Sequence, residues 1–138
     1  MRAATGVHRT HVGWIDTDAA GIHHHTSIAR WTEAAEADLM RGAGLTGYFP
    51  VAPRVRYEAD FVASLGPGDE VTDTIAVERL GRTSLSLAFE VRGGPAGEPA
   101  VLVARGRYVT VHLDGPGGRP APWPASWRAR LSPDGAGS

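Results

Sequence analysis

Two carboxylates, a glycine and three histidines lie close together near the start of the chain. Asp16 and Asp18 are followed by Gly21 and by the histidines 23–25, and a helical pattern begins directly after them. The first turn of a helix offers backbone N–H groups without intrahelical acceptors and carries a partial positive charge. A carboxylate beside such groups can attack a carbonyl, or activate water against it, while the N–H groups polarise the carbonyl oxygen. The pattern indicates acyl-transfer chemistry, most simply hydrolysis.

The same histidines could instead belong to a metal site, because His8 and His11 lie nearby in the sequence. Metal ligands must converge, however, and the side chains of consecutive residues point in different directions. The chain also lacks a His-Glu-x-x-His pattern. We therefore expect no metal, and we expect one histidine to bind substrate or tune Asp18 while the others are exposed or cap the helix.

The element after this turn is predicted to be an amphipathic helix from about Ser27 to Arg41. Thr26 and Ser27 are N-cap candidates, and glycines end the pattern. It is the only helix that the pattern predicts. The expected apolar face comprises Ile28, Trp31, Ala34, Ala35 and Leu39, and the expected polar side comprises Arg30, Glu33, Glu36 and Arg41.

The remainder of the chain predicts strands. A first strand is expected from His8 to Trp14, before the turn. Downstream, apolar and polar residues alternate over four segments at about 55–61, 71–77, 84–91 and 101–113, and Gly- and Pro-rich turns separate them. Hairpin-like spacing favours antiparallel pairing. One amphipathic helix against one antiparallel sheet is an α+β arrangement.

Length, charge and composition limit the domain organisation and the possible partners of the protein. The 138 residues predict one domain, 1–114, followed by a Pro-, Gly- and Ala-rich tail, 115–138, in which Trp123 and Trp127 anchor the chain and the last few residues are disordered. The net charge of −1 provides no basic field for nucleic acid or anionic membranes. No apolar run approaches about 18 residues, and no signal-peptide core is visible, so we expect a cytoplasmic protein. Cysteine is absent, which excludes disulfides and thiol nucleophiles.

Taken together, the turn motif and the order of elements resemble the hot-dog fold, in which an antiparallel sheet wraps around one long helix. Within that fold, the chain is similar to the acyl-CoA thioesterases of the 4-hydroxybenzoyl-CoA thioesterase type. The resemblance covers roughly residues 10–113. The residues that carry it are Asp16-Thr17-Asp18-Ala19-Ala20-Gly21-Ile22, Arg30-Trp31 and Glu33-Ala34-Ala35, together with the segments 68–71, 77–84 and 104–106.

This resemblance implies a role for particular residues. Asp18 would be the catalytic carboxylate, the backbone N–H of His25 or a neighbour would polarise the thioester carbonyl, and Gly21 would lie in the substrate-binding turn. The active site would lie at a dimer interface, lined by residues 56–61 of a second copy, in a homodimer or homotetramer. No cofactor is implied. Candidates for binding the nucleotide and pantetheine of coenzyme A are Arg79, Arg82, Thr83 and Ser84.

Several alternatives remain open on the sequence. Asp18 could be the nucleophile, the general base, or only a turn residue that accepts backbone hydrogen bonds, whereas Asp16 is the more structural of the two. The acyl or aroyl carrier could be coenzyme A or an acyl carrier protein. Many family members have Asn-Tyr where this chain has Ser27-Ile28. Polyketide product release, dehydration and non-catalytic acyl-thioester binding are therefore alternatives to thioester hydrolysis.

Overall fold

The computed structural model describes residues 4–132. Five strands and two helices make up the fold, with 3-10 turns at Trp14–Asp16 and Phe49–Val51. The elements are β1 (Thr5–His11), α1 (His25–Gly42), β2 (Arg54–Phe61), β3 (Glu70–Leu80), β4 (Ser84–Gly94), β5 (Val101–Val111) and α2 (Ala125–Leu131). The strands form one antiparallel sheet in the order β1-β3-β4-β5-β2, and α1 packs on a face of that sheet. This confirms the predicted α+β class.

The core lies between α1 and the sheet. Alternate residues are buried over most of β3 and β4, as the period of two predicts, whereas in β5 the alternation holds only from Tyr108 onward. The helix approaches β1 closely, because a Cβ at Gly6 would lie only 2.8 Å from the Cβ of Leu39. The buried residues of the helix are Ser27, Ile28, Trp31, Thr32, Ala35, Glu36, Leu39 and Met40.

Three expected boundaries were wrong. The first strand begins at Thr5 and ends at His11, and Trp14 belongs to a 3-10 turn in which its side chain is 88% exposed. The helix begins at His25 rather than near Ser27, because the His24 side chain, and not Thr26 or Ser27, caps it. Local periodicity does not reveal a histidine cap, since Ser, Thr, Asp and Asn are the usual capping residues.

The tail contains a second helix that the sequence did not predict. Helix α2 is only seven residues long, so it offers too few positions for a periodic pattern. Trp123 is 3% exposed, and its indole N–H donates to the carbonyl of Ser84 at 3.0 Å. Trp123 therefore anchors the tail on the β3–β4 hairpin, as expected. The final residues, expected to be disordered, lie outside the described range.

Two acidic side chains lie in the core. Glu36, expected on the solvent side of the helix, is 1% exposed and accepts a 2.8 Å hydrogen bond from the Tyr48 hydroxyl. Asp73 is fully buried and accepts from the Thr32 hydroxyl at 2.5 Å. Burial raises the pKa of both carboxyls, that of Asp73 to about 7 although the Thr32 bond opposes the shift. Both carboxyls therefore favour the protonated form more than an exposed carboxyl does.

Strand β2 is an open edge of the sheet. Seven of its eight residues are exposed, which means that neither face is covered along most of its length. It pairs closely with β5, since a Cβ at Gly106 would lie 2.8 Å from the ring of Phe89 and would overlap the carbonyl oxygen of Glu58. A glycine inside a strand often marks such a close approach of two backbones.

Candidate active site

The segment from Asp16 to His25 forms a closed turn. The Asp18 N–H donates to the carbonyl of Ile22 at 2.8 Å, and the Gly21 N–H donates to that of Asp18 at 3.0 Å. Gly21 adopts a φ of 79°, which favours glycine. Thr17 and His23 form an antiparallel bridge that closes the turn at its base. The turn therefore presents Asp18 on a short, internally bonded loop directly before the helix.

The Asp18 carboxylate is bonded on one side only. Its Oδ1 accepts from the backbone N–H of Ala20 at 2.8 Å and of Ile22 at 3.4 Å. Within residues 4–132, no donor lies within hydrogen-bond distance of Oδ2, and the side chain is half-buried. The first two bonds are those of an ordinary turn aspartate. The second oxygen is free to act on a ligand.

Asp16 is structural. Its side chain is 6% exposed, accepts from the Gly13 N–H at 2.7 Å and pairs with Arg30 on α1. Its backbone carbonyl accepts from the N–H of His24 and from the hydroxyl of Ser27 at 3.2 Å. These contacts fix the turn to the first helical residues, so the orientation of Asp18 relative to the helix start is set through Asp16.

The helix start offers a free donor at His25. The Thr26 N–H donates to Nδ1 of His24 at 3.2 Å, and the Ser27 N–H donates to the carbonyl of His24 at 2.9 Å. In the described part of the chain, the His25 N–H has no acceptor. The His25 ring stacks on that of His24 and meets the edge of Phe61, 6.2 Å between centroids. The His25 N–H, at the start of the helix that follows the Asp18 turn, is therefore available to a ligand.

The third histidine, His23, points inward. It is 7% exposed, and its ring Nδ1 accepts a hydrogen bond from the backbone N–H of Leu65 at 3.0 Å. The backbone N–H of His23 donates to the carbonyl of Leu65 at 2.8 Å. Because Nδ1 is an acceptor in the first of these bonds, the proton of the neutral ring is on Nε2. Burial lowers the pKa of His23, and the charge of Asp18 opposes the shift. His23 was not singled out from its two neighbours by the sequence, because three consecutive histidines carry no positional signal.

The residues expected to bind coenzyme A lie at the other end of the sheet from the Asp18 turn. Arg79, Arg82, Thr83 and Ser84 lie at or near the β3–β4 hairpin, where Ser84 pairs with Val111. Next to the Asp18 turn, Phe61 pairs with Ala104. Seven residues along β5 correspond to about 23 Å at 3.3 Å per residue. One chain therefore does not bring the hairpin and the turn together.

Exposed apolar side chains lie in the turn and at the nearby end of β2. We call this group the apolar rim, and its members are 37–88% exposed. Isolated exposed apolar side chains are ordinary, whereas a contiguous apolar patch is typical of an interaction surface. The apolar rim consists of Trp14, Ile15, Ile22, Phe61 and Val62.

The described residues contain neither a candidate metal site nor a membrane-spanning helix. Between residues 4 and 132, no three histidine, aspartate or glutamate side chains are grouped as metal ligands would be. In the same range, no helix combines the length and the apolar character that crossing a bilayer requires.

Comparison with known proteins places the turn and helix in a family. The family model of the thioesterase-like superfamily matches residues 12–131. The chain belongs to the thioesterase-like superfamily. This membership confirms the resemblance to hot-dog thioesterases that the turn motif suggested. A solved structure, that of 4-hydroxybenzoyl CoA thioesterase from Pseudomonas sp. strain CBS-3, superimposes with a TM-score of 0.83 at 23% identity, covering 93% of this chain and 99% of that one.

Two curated proteins are similar in sequence, and both are named 1,4-dihydroxy-2-naphthoyl-CoA hydrolase, from Prochlorococcus marinus. The protein of strain MIT 9303 is 31% identical over 90 residues, which are 56% of this chain and 60% of that protein. The protein of strain SARG is 32% identical over 112 residues, 72% of this chain and 70% of that protein. The chain thus spans less than two thirds of the length of the first relative.

Proposed function

We propose that this member of the thioesterase-like superfamily hydrolyses acyl or aroyl thioesters of coenzyme A, with Asp18 as the catalytic carboxylate and the His25 N–H as the oxyanion donor. The observation that carries this proposal is that, in the described part of the chain, one short segment presents both a carboxylate oxygen without a donor and a backbone N–H without an acceptor. Asp18 Oδ2 has no donor, and the His25 N–H has no acceptor, within the described residues. Acyl transfer that uses a carboxylate also needs a polarising donor held in fixed relation to it.

In this mechanism the thioester carbonyl oxygen accepts a hydrogen bond from the His25 N–H. Asp18 either attacks the carbonyl carbon, which gives a mixed anhydride and expels a thiolate that takes a proton from solvent, or removes a proton from the attacking water, in which case that proton passes to the leaving sulfur. In the first route, water then hydrolyses the anhydride and restores the carboxylate. A preorganised N–H donor is worth about 10²–10³ in rate. The two routes give the same products, carboxylic acid and thiol.

The carrier is proposed from the relatives. The two similar proteins of P. marinus are named as hydrolases of 1,4-dihydroxy-2-naphthoyl-CoA. We therefore propose coenzyme A as the carrier of the acyl group. An acyl carrier protein is the alternative, and assays with thioesters of both carriers distinguish the two. The roles of Gly21, Arg79, Arg82, Thr83 and Ser84 in substrate binding stay predictions.

A homodimer is supported by two surfaces that one copy leaves uncovered. The first is the open edge of β2, and the second is the apolar rim beside the turn. An uncovered edge strand invites pairing with another chain, and dimerisation removes that exposure. Because the hairpin lies about 23 Å from the turn at the strand rise of 3.3 Å, the proposed Arg79 and Arg82 contacts need either an extended substrate or a second copy.

The deciding experiment is thiol release from aliphatic and aromatic thioesters of coenzyme A and of an acyl carrier protein. Asp18→Asn should lower kcat by about 10²–10⁴. Asp114→Asn is the matched control, because Asp114 is also a turn aspartate that accepts a backbone N–H, that of Arg119 at 3.1 Å. Equal turnover in the wild type and Asp18→Asn would refute the proposal. Saturable binding without turnover would favour a binding module, and loss of water without thiol release would favour a dehydratase.

A further inference from the structure

His23 connects the Asp18 turn to a distant part of the chain. Its backbone N–H donates to the carbonyl of Leu65, and its ring Nδ1 accepts from the Leu65 N–H, so both polar backbone groups of Leu65 are bonded to one residue. His23 also pairs with Thr17 across the base of the turn. The ring therefore completes a clamp between the turn and the segment before β3.

This clamp requires a neutral imidazole. A proton on Nδ1 would turn the acceptor into a donor that faces the Leu65 N–H, and the side chain is 7% exposed. Two donors facing each other in a buried place leave at least one of them unsatisfied. Protonation therefore favours release of the ring from Leu65.

Asp18 is the charged group that acts on the His23 ring, and the neighbours from the other two segments are uncharged. Asp18 lies on the same turn, and it favours the protonated form. Helix α1 contributes the uncharged ring of Trp31, 6.0 Å away between centroids, and the other segment contributes the backbone of Leu65. Burial acts against the protonated form and outweighs Asp18, which places the pKa of His23 below its usual value of 6.5.

We propose that His23 is a positioning residue for hydrolysis, whose neutral ring holds the Asp18 turn against Leu65 and whose protonation releases the turn. This inference rests on the proposed role of Asp18. The proton that causes the release binds to Nδ1 and comes from solvent. Once the ring leaves Leu65, only the backbone bond from the His23 N–H to the Leu65 carbonyl still joins the turn to that segment, and Asp18 is held less firmly relative to the His25 N–H.

Two substitutions at position 23 separate the parts of this proposal. In His23→Asn, the side-chain oxygen can accept from the Leu65 N–H and does not titrate. In His23→Leu, the acceptor is lost. His112→Asn is the matched control, because His112 is also buried, 8% exposed, and bonded through Nδ1, to the carbonyl of Ala121 at the hairpin end of the sheet.

The first readout is kcat between about pH 5 and 8, the range in which a histidine titrates, for the best thioester substrate. The wild type and His112→Asn should lose activity on the acid side, below pH 6.5. His23→Asn should retain kcat within about threefold near neutral pH and lose this acid limb, whereas His23→Leu should be at least about tenfold slower throughout. An unchanged acid limb in His23→Asn would overturn the proposal.

The second readout is hydrogen exchange of the Leu65 amide, followed by NMR together with titration of the His23 ring. The protection factor of this amide should fall at least about tenfold as the ring protonates, and His23→Asn should keep it constant over the same range. This measurement does not depend on turnover, so it remains decisive if Asp18 proves not to be catalytic or if His23→Leu does not fold. Constant protection in the wild type during protonation would overturn the proposal.

Discussion

Replacing Asp73 by Asn should change how the stability of the protein depends on pH. Asp73 is fully buried on β3, accepts one hydrogen bond from Thr32, and has a second oxygen, Oδ1, with no partner among residues 4–132. Desolvation disfavours its ionised form and raises its pKa from 3.8 to about 7. An asparagine keeps the acceptor for the Thr32 hydroxyl and cannot ionise.

The size of the effect follows from the two pKa values. Between pH 3.8 and about 7 the folded state holds a proton that the unfolded state has lost, so the free energy of unfolding decreases as the pH rises through this window. A difference of one pKa unit corresponds to about 1.36 kcal/mol. The stabilisation is complete below 3.8, the pKa in the unfolded chain, and is lost when the pH reaches about 7, the pKa in the folded protein. The total change is therefore about 4 kcal/mol. Asp73→Asn removes this dependence, and it should be more stable than the wild type near neutral pH by up to about 4 kcal/mol.

Urea unfolding at fixed protein concentration, at intervals from about pH 4 to 8, measures this directly. The exposed carboxylate Glu98, in the β4–β5 turn, provides the control, and Glu98→Gln should leave the pH dependence of the wild type unchanged. The wild-type curve should fall between pH 3.8 and about 7 relative to that of Asp73→Asn. Parallel curves for these two proteins would refute the reasoning, because they would mean that Asp73 ionises in the folded protein as it does in the unfolded chain.

Three further substitutions test the packing of the domain. Gly106→Ala would place a Cβ against the carbonyl of Glu58, so it should cost about 1–3 kcal/mol and separate β2 from β5, measured by urea unfolding and by amide exchange along β2. Trp123→Ala should cost about 3–5 kcal/mol, because this buried indole anchors the tail, and thermal unfolding would reveal a smaller loss if the tail were dispensable. Tyr48→Phe leaves buried Glu36 without its hydroxyl donor and should cost about 1–3 kcal/mol, with an unchanged melting temperature arguing against this bond.

The candidate site was predictable in part because its chemistry is local in the chain. Asp18, Gly21 and His25 lie within one short segment, and a turn that closes on itself keeps such residues together whatever the rest of the fold does. The hairpin residues Arg79 and Arg82 were predicted through family resemblance, and the sequence could not tell how far from the turn the sheet would hold them.

The buried acids show a different limit. Asp73 occupies a position of the alternating pattern formed by Val71, Ile75 and Val77, so its burial could have been inferred from the period of two. Glu36 could not be placed in the same way, because its position lies at the border of the apolar face, and its burial depends on Tyr48, which approaches it from another segment.

The α+β class, the antiparallel pairing and the Asp18 turn could all be obtained from the residue pattern, because hydrophobic periodicity, glycine conformation and turn chemistry act over short stretches of chain. Three other features required the folded molecule: the His24 cap of α1, the place on the hairpin where Trp123 anchors the tail, and the bond between His23 and Leu65. Residues 23 and 65 are 42 positions apart, and their contact exists only because α1 and the sheet bring the two segments together. Local pattern cannot encode such a contact, since it depends on the packing of the whole domain.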